Sequence, residues 1–302
     1  MSTGTLKDKI SRSNPFSGAT IPILIILLSV LIVGGVTKLL QSDKGYISLV
    51  EELEDKTFGN RWVAAFELSK YLSSSGIPKE DIPWLQEKLF KLYKLHSEDP
   101  RTRNFLVLAS SSLKDSNSFP LLSLALSDSD PHVVFSAISS LGNFSQEEIR
   151  DFPFEKILPF LHSPDQTLQM SSIAVLSTFQ IKNLSIDEQF LTLLTDSNQF
   201  VRFSAAIGLL HYGREEADQI LLEIMDLPYL ETATKVEGQV NPINSQNVEA
   251  LKLNVIRAAQ KSFVSYNKLS SGLIEKFNVL KNNDSNILVR TKIEELLLQL
   301  KK

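Results

Sequence analysis

Cysteine is absent from all 302 residues, and charge of neither sign dominates: Lys and Arg total 31, while Asp and Glu total 35. Without cysteine the chain can form no disulfide, no thiolate nucleophile, no cysteine-ligated zinc site and no lipidated N-terminal cysteine. The formal net charge is −4 and the pI is about 5.7, so there is no basic field to attract a phosphate backbone. We therefore expect no nucleic acid partner.

Residue patterns for catalysis or metal binding are also scarce. The four histidines, His96, His132, His162 and His211, lie thirty or more residues apart and show no metal-binding spacing. The sequence contains no phosphate-binding loop, nucleophile elbow or dinucleotide fingerprint. Adjacent glutamates do not share a helix face, so caps and solvated surfaces explain them. We expect no catalytic residue, no metal, no cofactor and no small-molecule substrate, and hence a protein that is not an enzyme.

Charged residues are missing between Arg12 and Lys38, and this window contains the apolar run ATIPILIILLSVLIVGGV at 19–36. Its length matches the hydrocarbon core of a bilayer, roughly 30 Å thick. A buried soluble helix would show a polar face. A cleaved signal peptide would have a shorter apolar region and an A-x-A cleavage site. We therefore predict an uncleaved transmembrane signal anchor at 19–40, after a short basic tail at 1–18.

The basic residues around this run predict its orientation. Lys7, Lys9 and Arg12 precede it, whereas Lys38 and Lys44 follow it. The positive-inside rule then places the N-terminus in the cytoplasm. The rest of a single-pass protein would lie outside the cytoplasm, which in a bacterial cell is the periplasm.

A seven-residue phrase occurs twice after the apolar run, as DSNQFVR at 196–202 and as DSNILVR at 284–290. Longer alignments extend the phrase to seven segments. Their common small or aliphatic position falls at residues 64, 106, 137, 172, 205, 255 and 293. The steps between these positions range from 31 to 50 residues, which is typical of stacked helical hairpins.

Each segment follows a stretch with apolar residues at three- and four-residue steps, such as YISLVEELED and FEKILPFLH. Pro100 and Pro131 stand where second helices would begin, and Gly142 and Gly213 stand where helices would end. No β-hairpin signal of comparable strength occurs. The sequence therefore predicts an all-α fold without a sheet.

The repeated unit has a turn Asp, a hydrophobic-Arg pair, small residues and a Leu, on a hairpin of about thirty to forty residues. In this it resembles HEAT repeats. The resemblance covers 44–302, and it implies a right-handed, armadillo-like α-solenoid of about seven helix pairs. It identifies a class of repeat and not a function, since HEAT arrays serve unrelated functions.

The resemblance also implies a structural ladder between neighbouring repeats, formed by the turn Asp and the helix Arg. The six-residue spacing recurs in Asp55 and Arg61, Asp196 and Arg202, and Asp284 and Arg290. Each Asp can accept backbone N–H groups of the next helix, and each Arg can reach a neighbouring Asp or carbonyl group. We interpret these residues as spacers. The Arg position holds Val134, Gln169 and Lys252 in other repeats, so we expect the ladder to be interrupted there.

One connection is much longer than the others: PYLETATKVEGQVNPINSQ, at 228–246. A long connection in a compact array is usually either functional or disordered. Tyr229, Leu230, Lys235 and Val240 make this segment a candidate partner-binding loop. The alternative is an inserted loop with no binding role.

Two functions remain open from the sequence. The favoured one is a membrane-tethered scaffold that binds a protein or peptide partner on its solenoid surface, without catalysis. The alternative is an enzyme or enzyme accessory on a HEAT-like solenoid, similar to the HEAT-like DNA glycosylases or the bilin lyases. A glycosylase would require a basic concave face, and the acidic net charge disfavours it.

Overall fold

The computed structural model of the chain describes residues 45–55, 60–181, 184–229, 235–236, 239–240 and 245–301. The chain divides into two units, 1–48 and 49–302, and of the first only 45–48 are described. The described residues form thirteen α-helices. These are α1 (Tyr46–Glu54), α2 (Arg61–Ser74), α3 (Ile82–Leu95), α4 (Pro100–Ser112), α5 (Phe119–Ala125), α6 (Pro131–Leu141), α7 (Gln166–Phe179), α8 (Ile186–Leu193), α9 (Gln199–His211), α10 (Asp218–Asp226), α11 (Ser245–Tyr266), α12 (Ser271–Asn283) and α13 (Ile287–Gln299).

The helices of the second unit form a two-layered helical repeat of HEAT-like type. One layer, here called the second-helix layer, runs α2, α4, α6, α7, α9, α11, α13, and each of these helices packs against the next. The other layer contains the first helix of each hairpin, such as α3 beside α5 and α10 beside α12. The prediction of an α-helical repeat is thus confirmed for the described residues, whereas seven complete helix pairs and a right-handed superhelix stay predictions.

Side-chain caps fix where the second helices begin. The residue before each of five second helices accepts a hydrogen bond from a backbone N–H of the first turn, which satisfies a donor that has no partner within the helix. These residues are Asp99, Asp130, Asp165, Asn198 and Asn286. The cap recurs at one position of the repeat, so it sets a similar turn geometry in these five hairpins.

Small residues in the second helices allow the layers to approach closely. Ala65, Ala137, Ala205 and Ala258 are fully buried at helix contacts. Gly208 in α9 is the tightest case, because a Cβ atom there would lie 2.5 Å from the ring of Phe190 in α8. Any side chain at this position would push α8 away from α9 and open the core.

The fourth repeat differs from the expectation that FEKILPFLH forms a helix. Two short 3₁₀ turns, Phe154–Lys156 and Leu158–His162, replace the first α-helix. Pro159 lies in the first turn of the second of them and has no N–H to continue an α-helical ladder. Aromatic rings fill the space beside these turns, with Phe152 and Phe154 in edge-to-face contact at 5.4 Å.

The long connection at 228–246 contains a second difference. Lys235–Val236 and Gln239–Val240 pair as a two-residue antiparallel ladder, where the sequence predicted no sheet. A ladder of this size satisfies a few backbone groups and leaves the helical architecture unchanged.

The membrane anchor predicted at 19–40 lies outside the described residues. Within the part of the chain that the structure describes, none of the helices is both long enough and apolar enough to span a membrane.

The predicted ladder arginines donate to backbone carbonyl groups of their own turns. Nη1 of Arg202 lies 2.8 Å from the carbonyl oxygen of Asp196, and Nη1 of Arg290 lies 2.5 Å from that of Asp284. Nε of Arg61 makes the longer contact, 3.4 Å, to the carbonyl oxygen of Asp55. Each of these three contacts therefore lies within its own hairpin and does not link neighbouring repeats.

Contacts between neighbouring repeats are made by other residues at the same repeat position. Arg103 forms two hydrogen bonds of 2.7 Å with the carboxylate of Asp128 in the next repeat. Lys252 lies 2.8 Å from Asp284, and both side chains are almost fully buried. Nε2 of Gln169 lies 3.4 Å from Asp196. The expectation that Gln169 and Lys252 interrupt the ladder is therefore wrong, because both reach the turn acid of the following repeat.

We predict that Arg103→Ala destabilises the protein much more than Arg202→Ala. Loss of Arg103 leaves the buried Asp128 carboxylate unpaired, which should lower the free energy of unfolding by about 3–5 kcal/mol. Arg202 donates to backbone carbonyls only, so its loss should cost about 1 kcal/mol. Urea unfolding followed by circular dichroism measures both values. Equal losses for the two variants would contradict the assignment of the main cross-repeat contact to Arg103.

Candidate functional site

A groove opens on the outer surface of the second-helix layer between α2 and α4. We call it the aromatic groove, and its volume is about 370 Å³. The lining residues come from successive turns on the outward faces of the two helices and from the turn after α6. They are Phe66, Ser69, Lys70, Ser73, Phe105, Leu108, Ser111, Ser112 and Asn143.

Two phenylalanine rings form the apolar wall of the groove. The rings of Phe66 and Phe105 meet edge to face, with centroids 5.2 Å apart and an interplanar angle of 67°. This geometry favours attraction between the edge of one ring and the face of the other. Phe66 is nevertheless 40% exposed, and Phe135 on the neighbouring helix α6 is 37% exposed. The groove therefore presents aromatic surface to solvent.

Serines line the rest of the groove, and their hydroxyl groups are already used as donors. Ser73 donates to the carbonyl of Lys70 at 2.8 Å, and Ser112 donates to the carbonyl of Leu108 at 2.8 Å. A serine that bonds back to its own helix presents a small surface and only spare acceptor capacity. The serine positions thus leave open space beside the rings.

Lys70 carries the one charge among the residues that line the groove. It is exposed at the rim, and no carboxylate of the described residues forms an ion pair with its ammonium group. A ligand with a carboxylate beside an apolar group would complement both the charge of Lys70 and the phenylalanine rings.

The sequence contained a signal for this surface that the repeat alignment did not use. The repeat position of Phe66 lies two residues after the common small position and faces outward in each second helix. From the first repeat to the last it holds Phe66, Leu108, Ser139, Ala174, Ile207, Arg257 and Glu295. This row is uncharged in the first five repeats and charged in the last two, and its two largest apolar side chains at the start, Phe66 and Leu108, both line the groove.

The four candidate binding residues predicted in the long connection differ in what the structure shows of them. The hydroxyl group of Tyr229 donates to Asp284 at 2.8 Å, and Nζ of Lys252 lies 4.4 Å from the centroid of its ring. Leu230 lies outside the described residues. The backbones of Lys235 and Val240 pair directly with each other in the short ladder. A role in partner binding for the four residues stays a prediction.

Tyr229 joins the buried pair of Lys252 and Asp284 into a group of three. Burial, followed by the hydrogen bond to Asp284, raises the pKa of the Tyr229 hydroxyl. The same chemistry occurs four repeats earlier, where the hydroxyl of Tyr93 donates to Asp128 beside Arg103. The loop thus begins with a residue that supports the contact between the sixth and seventh repeats.

The histidines show no convergence on a metal site within the described residues. His96 is buried, and its Nε2 lies 3.0 Å from the carbonyl oxygen of Leu53. His211 ends α9 with its Nδ1 buried and without a hydrogen-bond partner in the described part of the chain. Lys261 of α11 passes near it and donates to the carbonyl of Thr178 at the end of α7.

Comparison with known proteins adds information on the fold. No family model and no curated protein matches the sequence. The crystal structure of YibA from Escherichia coli matches with a TM-score of 0.55 and 14% identity, over 87% of this chain and 84% of that chain.

Two further solved structures match less well. An archaeal HEAT-like repeats protein from Thermococcus onnurineus NA1 has 16% identity and a TM-score of 0.43, over 86% of this chain and 98% of that one. An engineered protein has 18% identity and a TM-score of 0.44, over 85% and 96%. Of these three, YibA alone supports the likeness, and at this identity it supports the fold and no function.

We predict that protonation of His211 destabilises the protein in mild acid. Burial, with a smaller effect of the Lys261 charge, lowers the pKa of His211 from 6.5 to about 4. The unfolded chain therefore binds a proton between these two pH values while the folded chain does not. Stability should fall by about 2–3 kcal/mol as pH drops from 7 to 4.

The His211→Gln variant should lose this part of the pH dependence in urea unfolding measured at several pH values. Burial also lowers the pKa of His96, so some slope should remain. His132→Gln, a change at an exposed histidine, provides the matched control and should retain the full slope. A His211→Gln curve parallel to that of the unmodified protein would contradict the prediction.

Proposed function

We propose that the protein is a non-catalytic HEAT-like scaffold, held at a membrane by residues 19–40, which binds a protein or peptide partner in the aromatic groove. The observation that carries the proposal is the half-exposed ring of Phe66, which packs on Phe105 beside the rim cation Lys70. Clustered aromatic surface beside a polar rim is typical of protein interaction sites.

The chemistry of the groove favours binding over catalysis. Its serine hydroxyls donate to backbone carbonyls of their own helices, as Ser69 does to Phe66 at 2.7 Å. A nucleophilic serine would instead donate to a neighbouring general base. The remaining lining groups are the two rings, the Leu108 side chain, a lysine and the amide of Asn143, which suit positioning and apolar contact.

The partner is expected to carry an aromatic or large aliphatic side chain close to an aspartate or glutamate. The apolar side chain would cover the Phe66 ring, and the acid would pair with the ammonium group of Lys70. The volume of the groove, about 370 Å³, lies at the small end of the range for ligand pockets. It therefore suits a short segment of the partner, while the outward row of the second-helix layer could extend the contact.

Selection from a library of random 12-residue peptides tests the groove directly. We expect retained peptides to be enriched in an aromatic or leucine residue within a few positions of an acid. Phe66→Ala should weaken a selected peptide at least tenfold, on the order of 1.4 kcal/mol or more, because an exposed aromatic anchor loses its contact. Lys70→Glu should weaken acidic peptides specifically.

Trp84→Ala is the matched control for these measurements. Trp84 is 38% exposed, close to the value for Phe66, but it lies on α3 in the first-helix layer. Peptide affinity should be unchanged in this variant. Equal affinity for the Phe66→Ala and unmodified proteins would overturn the assignment of the groove, and binding that Trp84→Ala alone removes would move the site to the other layer.

The proposed tether gives a separate prediction. The chain should remain in the membrane fraction after an alkaline wash, because the uncharged run at 19–36 is long enough to span the bilayer. A reporter active only in the cytoplasm should be silent when fused after Lys302, since Lys7, Lys9 and Arg12 favour a cytoplasmic N-terminus. Release by the wash would contradict the anchor, and a strong reporter signal would contradict the orientation.

A further inference from the structure

A second groove opens in the first-helix layer, and its volume is about 540 Å³. We call it the lysine groove. Its lining residues come from α3, from α5 and the residues just after it, and from the 3₁₀ turn that ends at Lys156. The fourth repeat has 3₁₀ turns where a first α-helix was expected, so a turn and not an α-helix stands opposite α3 across this groove.

Apolar side chains form the base of the lysine groove. Phe119 at the start of α5 is buried, Phe90 of α3 is half-buried, and Leu124 is 38% exposed. The ring of Phe119 meets the ring of Phe152 edge to face, with centroids 5.4 Å apart and an interplanar angle of 82°. This contact holds the base in place, so Leu124 and the Phe90 ring remain available to an apolar group of a ligand.

Two lysines provide positive charge on the two sides of the groove. Lys156 is exposed and lines the groove on the side of the 3₁₀ turn. Nζ of Lys94 lies 4.0 Å from the centroid of the Phe90 ring, on the α3 side. Neither ammonium group forms a hydrogen bond or an ion pair with any residue that the structure describes. The lining residues include no carboxylate, so both charges are available to acidic groups of a ligand.

The other lysines of α3 show that the unpaired charge belongs to the groove and not to the helix as a whole. Lys88 forms an ion pair with Glu54, and Lys91 forms one with Glu87. Of these three lysines, Lys94 alone has no carboxylate partner within the described part of the chain. Attraction between its ammonium group and the neighbouring aromatic ring keeps the charge beside the groove.

Two serines add hydrogen-bond donors. Ser123 and Ser127 both line the lysine groove, and their hydroxyl groups donate to no other group among the described residues. The serines of the aromatic groove differ, since Ser73 and Ser112 donate to carbonyl groups of their own helices. The lysine groove therefore retains donors for an acceptor such as a carboxylate.

We propose that the lysine groove binds a peptide segment of a partner protein in which a bulky apolar residue stands between two acidic residues. The apolar side chain covers Leu124 and the Phe90 ring. One acid pairs with Lys94, and the other pairs with Lys156 and accepts from the serine hydroxyl groups. Charge complementarity carries the assignment, because cations stand on both sides of an apolar base and no lining carboxylate repels the acids.

An extended polyanion fits this surface less well than a short peptide does. The chain carries a formal net charge of −4, which repels a nucleic acid or a strongly anionic bilayer at long range. Two cations beside one groove give a local positive field, which suits one or two carboxylates. The aromatic groove offers a single lysine and serines whose hydroxyl groups are already used. The two grooves therefore select different peptides, and neither proposal depends on the other.

Short synthetic peptides of defined pattern test the proposal on the full-length chain in detergent. Each peptide has a central leucine or phenylalanine, with glutamates on both sides, on one side or on neither, at several distances. The chain carries Phe66→Ala, so that binding in the aromatic groove does not contribute. The best two-sided peptide should bind about tenfold more tightly than any one-sided peptide, because it forms one more ion pair beside the apolar contact.

Substitution of either lysine should remove this advantage. Lys94→Gln and Lys156→Gln should each lower the affinity of the two-sided peptide to that of a one-sided peptide, a loss of about tenfold. Lys91→Gln is the matched control and should leave the affinity unchanged, because it removes one positive charge from α3 at a lysine that already pairs with Glu87. Equal affinity for one-sided and two-sided peptides, or an equal loss in Lys91→Gln, overturns the proposal, since binding would then be general charge attraction.

The apolar part of the contact has its own pair of variants. Leu124→Gln should weaken the two-sided peptide about tenfold, because it replaces an apolar side chain that lines the groove. Leu95→Gln is the control and should have no effect, since Leu95 is 55% exposed on α3 but does not line the groove. Circular dichroism checks that all variants are folded. Unchanged affinity in Leu124→Gln, or no binding by any peptide, overturns the proposal as well.

Discussion

The turn acid between the helices of a hairpin is the interaction on which the array depends. Asp128 accepts the backbone N–H of Asp130, which itself caps α6, and it also binds the guanidinium group of Arg103 from the preceding repeat. One carboxylate thus links the start of a helix to the position of its neighbour. Burial alone would raise the pKa of Asp128, but the hydrogen bonds from Arg103 and Tyr93 outweigh it and lower the pKa. The carboxylate therefore stays ionised at neutral pH and keeps both roles.

Sequence patterns were sufficient for the architecture because its determinants are local and repeated. Helix periodicity, the capping Asp or Asn before five of the second helices, and the small residues of the second helices all recur at fixed positions. The 3₁₀ turns of the fourth repeat are an exception, because the apolar periodicity of FEKILPFLH predicts a helix while Pro159 inside it cannot donate to a helical ladder. The contacts between repeats are not visible in an alignment of single repeats. They appear when the residue at position 169 or 252 is compared with the turn acid of the following repeat.

The candidate site was harder to predict, for two physical reasons. The aromatic groove has no motif of its own, because its walls come from α2 and α4 and only their packing brings Phe66 to Phe105. A comparison of the outward position of Phe66 across all repeats indicates this surface. Composition alone places Tyr229 in a candidate binding loop. Its contact with Asp284, 55 residues further along the chain, depends on a path that sequence periodicity does not encode.

The contact from Lys261 to the Thr178 carbonyl has a mechanical consequence. It connects α11 to α7 across α9, so it joins two helices that are not neighbours in the second-helix layer. In a solenoid whose repeats touch only their neighbours, bending is the sum of small rotations at each interface between repeats. A hydrogen bond that spans two interfaces resists such rotations between α7 and α11. Elastic deformation of the protein should therefore concentrate in the repeats before α7, where the aromatic groove could widen or narrow as the array flexes.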